Sequence, residues 1–283
     1  MGEQKLSRRR IGLPKPDFTM KKITLFIATL LLLIGVNAYA IEHELTVGPE
    51  ISHITYKEPG FMTEKGWFYG IAGSYTLKVD LAQDWKLAVG PELKLAWGRV
   101  KYSSDISGDM SGIKDRLFEA RIVVGPEWAA TKEIKLKPYI GFGYRSLTDD
   151  SEGKQTSTGA WGYERWIRYY YIPVGVAFGY NIPQDWKVKA YAEYDFFVRG
   201  KVTSYLGYLP GYEDITNTQK SGYGIRGGVS VSKKFSGWAI EAGPYVKYWK
   251  IKDSEVTYDS LGRGWLEPRN HSTEIGGMVR VNF

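Results

Sequence analysis

Residues 271–283 read HSTEIGGMVRVNF, and the fold is read outward from them. Ile275, Gly277, Val279, Val281 and Phe283 share one parity, while Glu274, Gly276, Met278, Arg280 and Asn282 take the other. A strict period of two belongs to a β-strand whose two faces meet different environments. One such strand suits a soluble sandwich as well as a barrel. How the pattern recurs upstream decides between them.

It recurs in ten runs: 43–56, 66–79, 85–102, 114–130, 135–147, 164–180, 186–199, 222–232, 238–251 and 271–283. The connections at 80–84, 131–134, 181–185 and 233–237 are tight, whereas those at 57–65, 103–113, 148–163, 200–221 and 252–270 are mostly long and polar. Alternating long and short connections with an even strand count predict an all-β fold, a transmembrane up-and-down antiparallel β-barrel with short periplasmic turns and long extracellular loops. The faces agree. In the seventh run Trp186, Val188, Ala190, Ala192, Tyr194, Phe196 and Val198 stand opposite Lys187, Lys189, Glu193, Asp195 and Arg199. Outward aromatics gather at both ends, with Trp85, Trp128, Trp186 and Trp238 at the short turns and Trp67, Trp97, Phe118, Tyr144 and Trp166 at the loops. Two such girdles flanking aliphatic residues are expected where a barrel crosses a bilayer.

The first forty residues distort the composition. Met20-Lys21-Lys22, an apolar run over 23–36 and Ala38-Tyr39-Ala40 make residues 20–40 a secretory signal peptide. Residues 1–19 are then an extension ahead of the true initiator, and 41–283 form the barrel. Removing seven basic and two acidic leader residues from totals of 38 and 31 leaves 31 and 29, a net charge of +2 in place of +7. A nucleic-acid partner loses its support. The chain has no cysteine and three histidines, so no metal or other cofactor is expected.

An alternating terminal strand ending in Phe283 resembles the closing strand of bacterial outer-membrane β-barrels. That resemblance implies that Phe283 is an assembly signal read by the barrel-assembly machinery, in the outer membrane of a Gram-negative bacterium reached through the periplasm. The chain as a whole is similar to outer-membrane barrels of unassigned role. In strand number, tall loops and length, residues 41–283 resemble the omptin proteases. Omptins face an Asp-x-His pair with an Asp-x-Asp pair across an outer cleft, and this sequence has no Asp-x-His, so no catalytic residue carries over. Lipid A deacylases use a His-Ser pair with a carboxylate. His271-Ser272-Thr273-Glu274 holds those residue types, but neighbours on a strand point to opposite faces.

Inward parity collects Glu92, Glu119, Arg121, Arg145, Glu193, Asp195, Arg199, Arg226, Glu241, Glu274 and Arg280. Both signs occur in similar number, which suits a network of ion pairs plugging a narrow barrel. The alternatives are a narrow solute channel and a surface hydrolase pocket. Above the upper aromatics, outward parity collects Arg99, Lys101, Lys114 and Arg116, with Arg168 and Lys250 further round. Cations there would meet lipopolysaccharide phosphates, or would simply snorkel to water. Gly-Pro at 48–49, 90–91, 125–126 and 243–244 predicts β-bulges, because proline cannot donate to a ladder. The two Gln-Asp-Trp-Lys stretches at 83–86 and 184–187 predict equivalent turns. The reading is a monomeric barrel with a structural or surface-interaction role, in contact with membrane lipid and lipopolysaccharide.

Overall fold

The computed structural model describes residues 41–283, so the expected extension (1–19) and signal peptide (20–40) lie outside the described residues. Its strands are β1 (Ile41–Glu58), β2 (Met62–Ala82), β3 (Trp85–Ser104), β4 (Gly108–Ala129), β5 (Ile134–Asp150), β6 (Glu164–Ile182), β7 (Trp186–Tyr205), β8 (Ile215–Gln219), β9 (Gly222–Lys234), β10 (Ala239–Ile251), β11 (Thr257–Tyr258), β12 (Gly264–Trp265) and β13 (Asn270–Asn282). Ten of them form a closed antiparallel ring in the order β1-β2-β3-β4-β5-β6-β7-β9-β10-β13, and β13 returns to β1. At the seam the Leu45 N–H donates to the Phe283 carbonyl (3.1 Å) and the Phe283 N–H donates to the Leu45 carbonyl (2.8 Å). The chain is a membrane-spanning up-and-down β-barrel. With β13 paired back to β1 the ring has no free edge, as a bilayer requires.

The wall is taller than the sequence suggests. A tilted strand needs about 9–11 residues to cross the hydrocarbon layer, and β1 to β7 each run for between 17 and 22. The expected loops at 57–65 and 103–113 are therefore continuations of hairpins, turning only at 59–61 and 105–107. β8 prolongs the wall beside β7, and β11 with β12 forms a small hairpin within 252–270. By contrast β9, β10 and β13 have 13 residues each, so the wall is low on that side.

Outside, apolar side chains such as Leu93, Leu95, Ile140, Val229, Val246, Ile275 and Val279 are exposed between the two aromatic rings. Trp85 stacks on Trp128 at the turn end, with ring centroids 5.6 Å apart. The segments between these rings are the membrane-spanning ones.

The Gly-Pro stretches are not bulges. Ladder pairing lapses beside each and resumes in the same register, for example from Ser74↔Glu92 to Leu77↔Val89 around Pro91, and from Ala242↔Val231 to Tyr245↔Gly228 around Pro244. No residue is inserted. The wall opens where proline offers no N–H, and the preceding glycine lets the next strand close in. A Cβ at Gly48, Gly90, Gly125 or Gly243 would overlap the carbonyl oxygen of Val279, Tyr75, Pro138 or Val229 respectively. Register shifts occur instead at Asp80/Ala82, Val100/Lys101 and Tyr170/Tyr171. The Gln-Asp-Trp-Lys turns also differ. Gln184 and Asp185 both take φ 63°, a hairpin conformation that Gln83-Asp84 does not share beside its bulge.

Because the obstacle at Gly90 is backbone, no side chain can swing aside. Gly90→Ala should cost at least the ~1–3 kcal/mol of an overpacked site, lowering the urea midpoint of the heat-modifiable folded band on gels, while Pro91→Ala should change it far less.

Candidate functional site

The lumen is filled at two levels. In the middle, Arg226 on β9 is the hub of an ion-pair knot. Its Nη1 meets Glu119 of β4 (2.5 Å), its Nη2 meets Asp195 of β7 (2.7 Å) and its Nε reaches Glu193 (2.9 Å). Arg121 clamps Glu193 with Nη1 at 2.6 and 2.8 Å and gives its Nε to Glu92 at 2.7 Å. Tyr171 donates to Glu119 (2.6 Å), as does Lys247 from β10 (2.9 Å). A second knot joins Lys94 of β3 to Glu274 of β13 (2.5 Å) and to Glu50 of β1, with the Tyr245 hydroxyl donating to Glu274 at 2.8 Å. Arg226–Glu119, Arg121–Glu193, Lys247–Glu119 and Lys94–Glu274 cross the lumen between strands that are not neighbours in the wall, while Arg226–Glu193, Arg121–Glu92 and Tyr245–Glu274 bridge adjacent strands. A partner-rich, charge-assisted arrangement of this kind is what makes buried ions tolerable.

Toward the loop end lies an apolar core that the sequence did not announce. Phe68, Val100, Ile113, Leu117, Leu147, Ile167, Tyr169, Tyr171, Val202, Trp249 and Ile251 are buried together inside the wall. Below the knot, toward the turn end, a cavity of about 280 Å³ holds Lys78, Lys135, Lys137, Lys187 and Lys189 with Glu44 and Glu127. It is a vestibule closed at its inner end by the knot.

Most of the expected interior charges meet in these knots. Glu241 pairs with Lys189 (2.7 Å), and Arg280 lies 3.8 Å from Glu50. Arg145 is buried over the Tyr169 ring, 5.9 Å from its centroid. Arg199 is a correction: it is exposed and outside the network. Tyr170 pairs with Arg199 but Tyr171 with Phe197, so one extra residue on β7 turns Arg199 to the outer face. Lys94 and Lys247, inward by the same parity, complete the knots together with Glu50, Tyr171 and Tyr245.

Arg99, Lys101, Lys114 and Arg116 are all exposed on the outer face. Arg99 stands directly across from Lys114, Lys101 from Lys65, and Arg116 from Trp97. Among the described residues none of these five cations has an ion-pair partner. Like charges directly opposed on a sheet are unfavourable. Arg168 and Lys250 lie on other strands, Arg168 stacked 3.9 Å from the Trp166 ring centroid with a 2.5 Å hydrogen bond to Thr203. They are not part of the cluster.

The histidines build no relay. His53 packs edge-on to Trp67 (5.3 Å between centroids), the ring of His43 sits 2.6 Å from the Tyr75 hydroxyl, and His271 lies on the face opposite buried Ser272 and Glu274. A further group of carboxyls lies outside the expected network, all but Asp115 in stretches that the sequence pattern assigns to loops. Glu58, Glu64, Asp115, Asp149 and Glu267 are buried near Arg165 at the loop end. Arg165 Nη2 reaches Glu58 (2.9 Å) and Glu267 (3.3 Å). Burial pushes Glu267, in the β12–β13 connection, up to about 7.

No protein-family model matches the chain, and no curated protein matches it in sequence. Among solved structures, the outer membrane protease OmpT from Escherichia coli superposes with a TM-score of 0.54 at 9% identity, covering 88% of this chain and 99% of that one. The translocator domain of the autotransporter NalP from Neisseria meningitidis gives 0.43 at 14% identity, covering 94% and 95%. The first of these likenesses shares the barrel fold.

Removing the hub leaves Asp195 buried without its ion-pair partner and takes one of two cations from each of Glu119 and Glu193. Arg226→Met should therefore destabilise the barrel by about 3–5 kcal/mol, read from the urea midpoint of the heat-modifiable band, whereas Arg199→Met should stay within about 0.5 kcal/mol of wild type.

Proposed function

We propose that the protein is a non-conducting outer-membrane barrel of a Gram-negative bacterium. Its basic rim holds lipopolysaccharide, and its loop end is presented at the cell surface. The observation that carries the reading is the doubly filled lumen. A solute path would have to pass both the Arg226 knot and the apolar core above it, and a ten-stranded wall leaves little room around either. A narrow channel is the weaker reading for that reason. Nothing in the histidine geometry favours a hydrolase.

The rim supports the lipid partner. Five outward cations on β2, β3 and β4 stand just beyond Trp67, Trp97 and Phe118, where outer-leaflet phosphates lie in such a membrane. Their mutual repulsion is relieved by a polyanion, and guanidinium groups grip phosphate with paired hydrogen bonds. Phe283, in this reading, serves two ends. It closes the seam with Leu45 and offers its exposed ring to the assembly machinery.

In planar bilayers the purified barrel should show no discrete openings, and stepwise conductance would sink the closed-lumen reading. Changing Arg99, Lys101, Lys114 and Arg116 together to Gln should preserve the heat-modifiable band but reduce co-purified lipopolysaccharide several-fold. Unaltered lipid content in a folded variant would leave the rim as solvated charge.

A further inference from the structure

The loop end encloses a cavity of about 310 Å³ within the tips of the β1–β2, β3–β4 and β5–β6 hairpins. The β5–β6 loop is tied to the β3–β4 tip by Ser157 N–H to the Asp109 carbonyl (2.8 Å) and by the Thr158 hydroxyl to the Ser107 carbonyl (2.7 Å). These bonds hold the loop in place over the cavity. Phe61 and Trp161 line it while remaining half exposed, so it is reachable from solvent.

Its charge balance is incomplete. Arg165 also lines the cavity, but its ion pairs go to Glu58 and Glu267; among the described residues no cation stands within ion-pair distance of Glu64, Asp149 or the neighbouring Asp115. Glu64 and Asp149 line the cavity and are only 6% and 3% exposed. One oxygen of Asp149, Oδ1, is buried with no hydrogen-bond partner, as is Oδ1 of Asp115. Burying a carboxylate without a counter-charge is among the costliest arrangements a protein can hold. Glu64 lies above the membrane band, and burial, followed by the facing charge of Asp149, keeps its carboxyl well above the usual carboxylate range.

The walls indicate which cation. Hard metal ions need six or more oxygens, and no group of ligating side chains among the described residues is arranged to hold one. Here the carboxyls are accompanied by Phe61, Tyr102, Met110 and Trp161. Aromatic faces attract ammonium groups and also cover apolar bodies. The volume is at the small end for ligand sites.

We propose that this cavity binds a small organic ammonium ion with an aromatic or other apolar body. The ammonium sits on Glu64 and Asp149, and the body lies against the Phe61 and Trp161 side of the cavity. The site is independent of the lipid rim and of whether the lumen conducts.

The test titrates the detergent-solubilised full barrel with phenethylammonium and with benzyltrimethylammonium. Tryptophan fluorescence and calorimetry report binding, and 3-phenylpropanol serves as the uncharged comparison. At least one cation should bind saturably, and the alcohol at least about tenfold more weakly, equivalent to about 1.4 kcal/mol. The double change Glu64→Gln with Asp149→Asn should remove that preference for charge, and Trp161→Ala, at an exposed loop position, should weaken the cation several-fold. Absence of saturable binding by either cation overturns the proposal, as does equal binding of alcohol and cation to wild type. Retention of wild-type affinity in the folded double variant does the same. If that variant fails to fold, the wild-type comparison and Trp161→Ala still decide.

Discussion

The antiparallel ladder between β1 and β13, which ends in the paired backbone hydrogen bonds of Leu45 and Phe283, is the interaction on which everything else depends. An open ten-stranded sheet would expose two rows of unpaired N–H and C=O groups to hydrocarbon, each costing several kcal/mol. Closing it removes both rows and divides the side chains into an outside and an inside. The outside is then solved cheaply by aliphatic residues between two aromatic rings. The inside is the harder problem, because side chains from ten strands converge on a space too narrow for bulk water.

The protein answers that problem with two materials. Around Arg226 it uses ions, and a buried ion pair contributes little net stability because desolvation offsets attraction. What such a knot does provide is register. Arg226 reaches β4 and β7, and Lys94 reaches β13 and β1, so a slip of one residue in any of these strands would strand several charges. Nearer the loops it uses apolar side chains, whose burial contributes about 25 cal/mol for each Å² removed from water. Specificity and stability are therefore drawn from different heights of one lumen.

The sequence disclosed the lower of these heights well and the upper poorly, for a physical reason. Between the rings, apolar residues face out and charges face in, as Leu93 and Leu95 do against Glu92 and Lys94. Beyond the upper ring water lies outside, and the phase reverses: Arg99 and Lys101 face out while Val100 faces in. A reading that keeps one phase takes this reversal for the end of the strand, so 57–65, 103–113 and 148–163 look like loops and Glu64 and Asp149 do not stand out. Arg199 failed differently, since parity cannot survive an inserted residue that leaves no mark in composition. The prolines misled because missing donors were equated with inserted residues. The knot around Arg121, Glu193 and Arg226 was legible because it lies where neither complication reaches.

The reversal means that one continuous wall is folded in two solvents. The lower half exchanges lipid contacts for other lipid contacts if it comes apart, so little apolar surface there meets water. The upper half, with Phe68, Ile113, Leu147, Ile167 and Trp249 inside, would expose its core to water. Exposing apolar surface to water raises heat capacity. The curvature of stability with temperature should thus belong almost wholly to the part of the barrel that stands clear of the membrane, and cooling should loosen that rim before it touches the span.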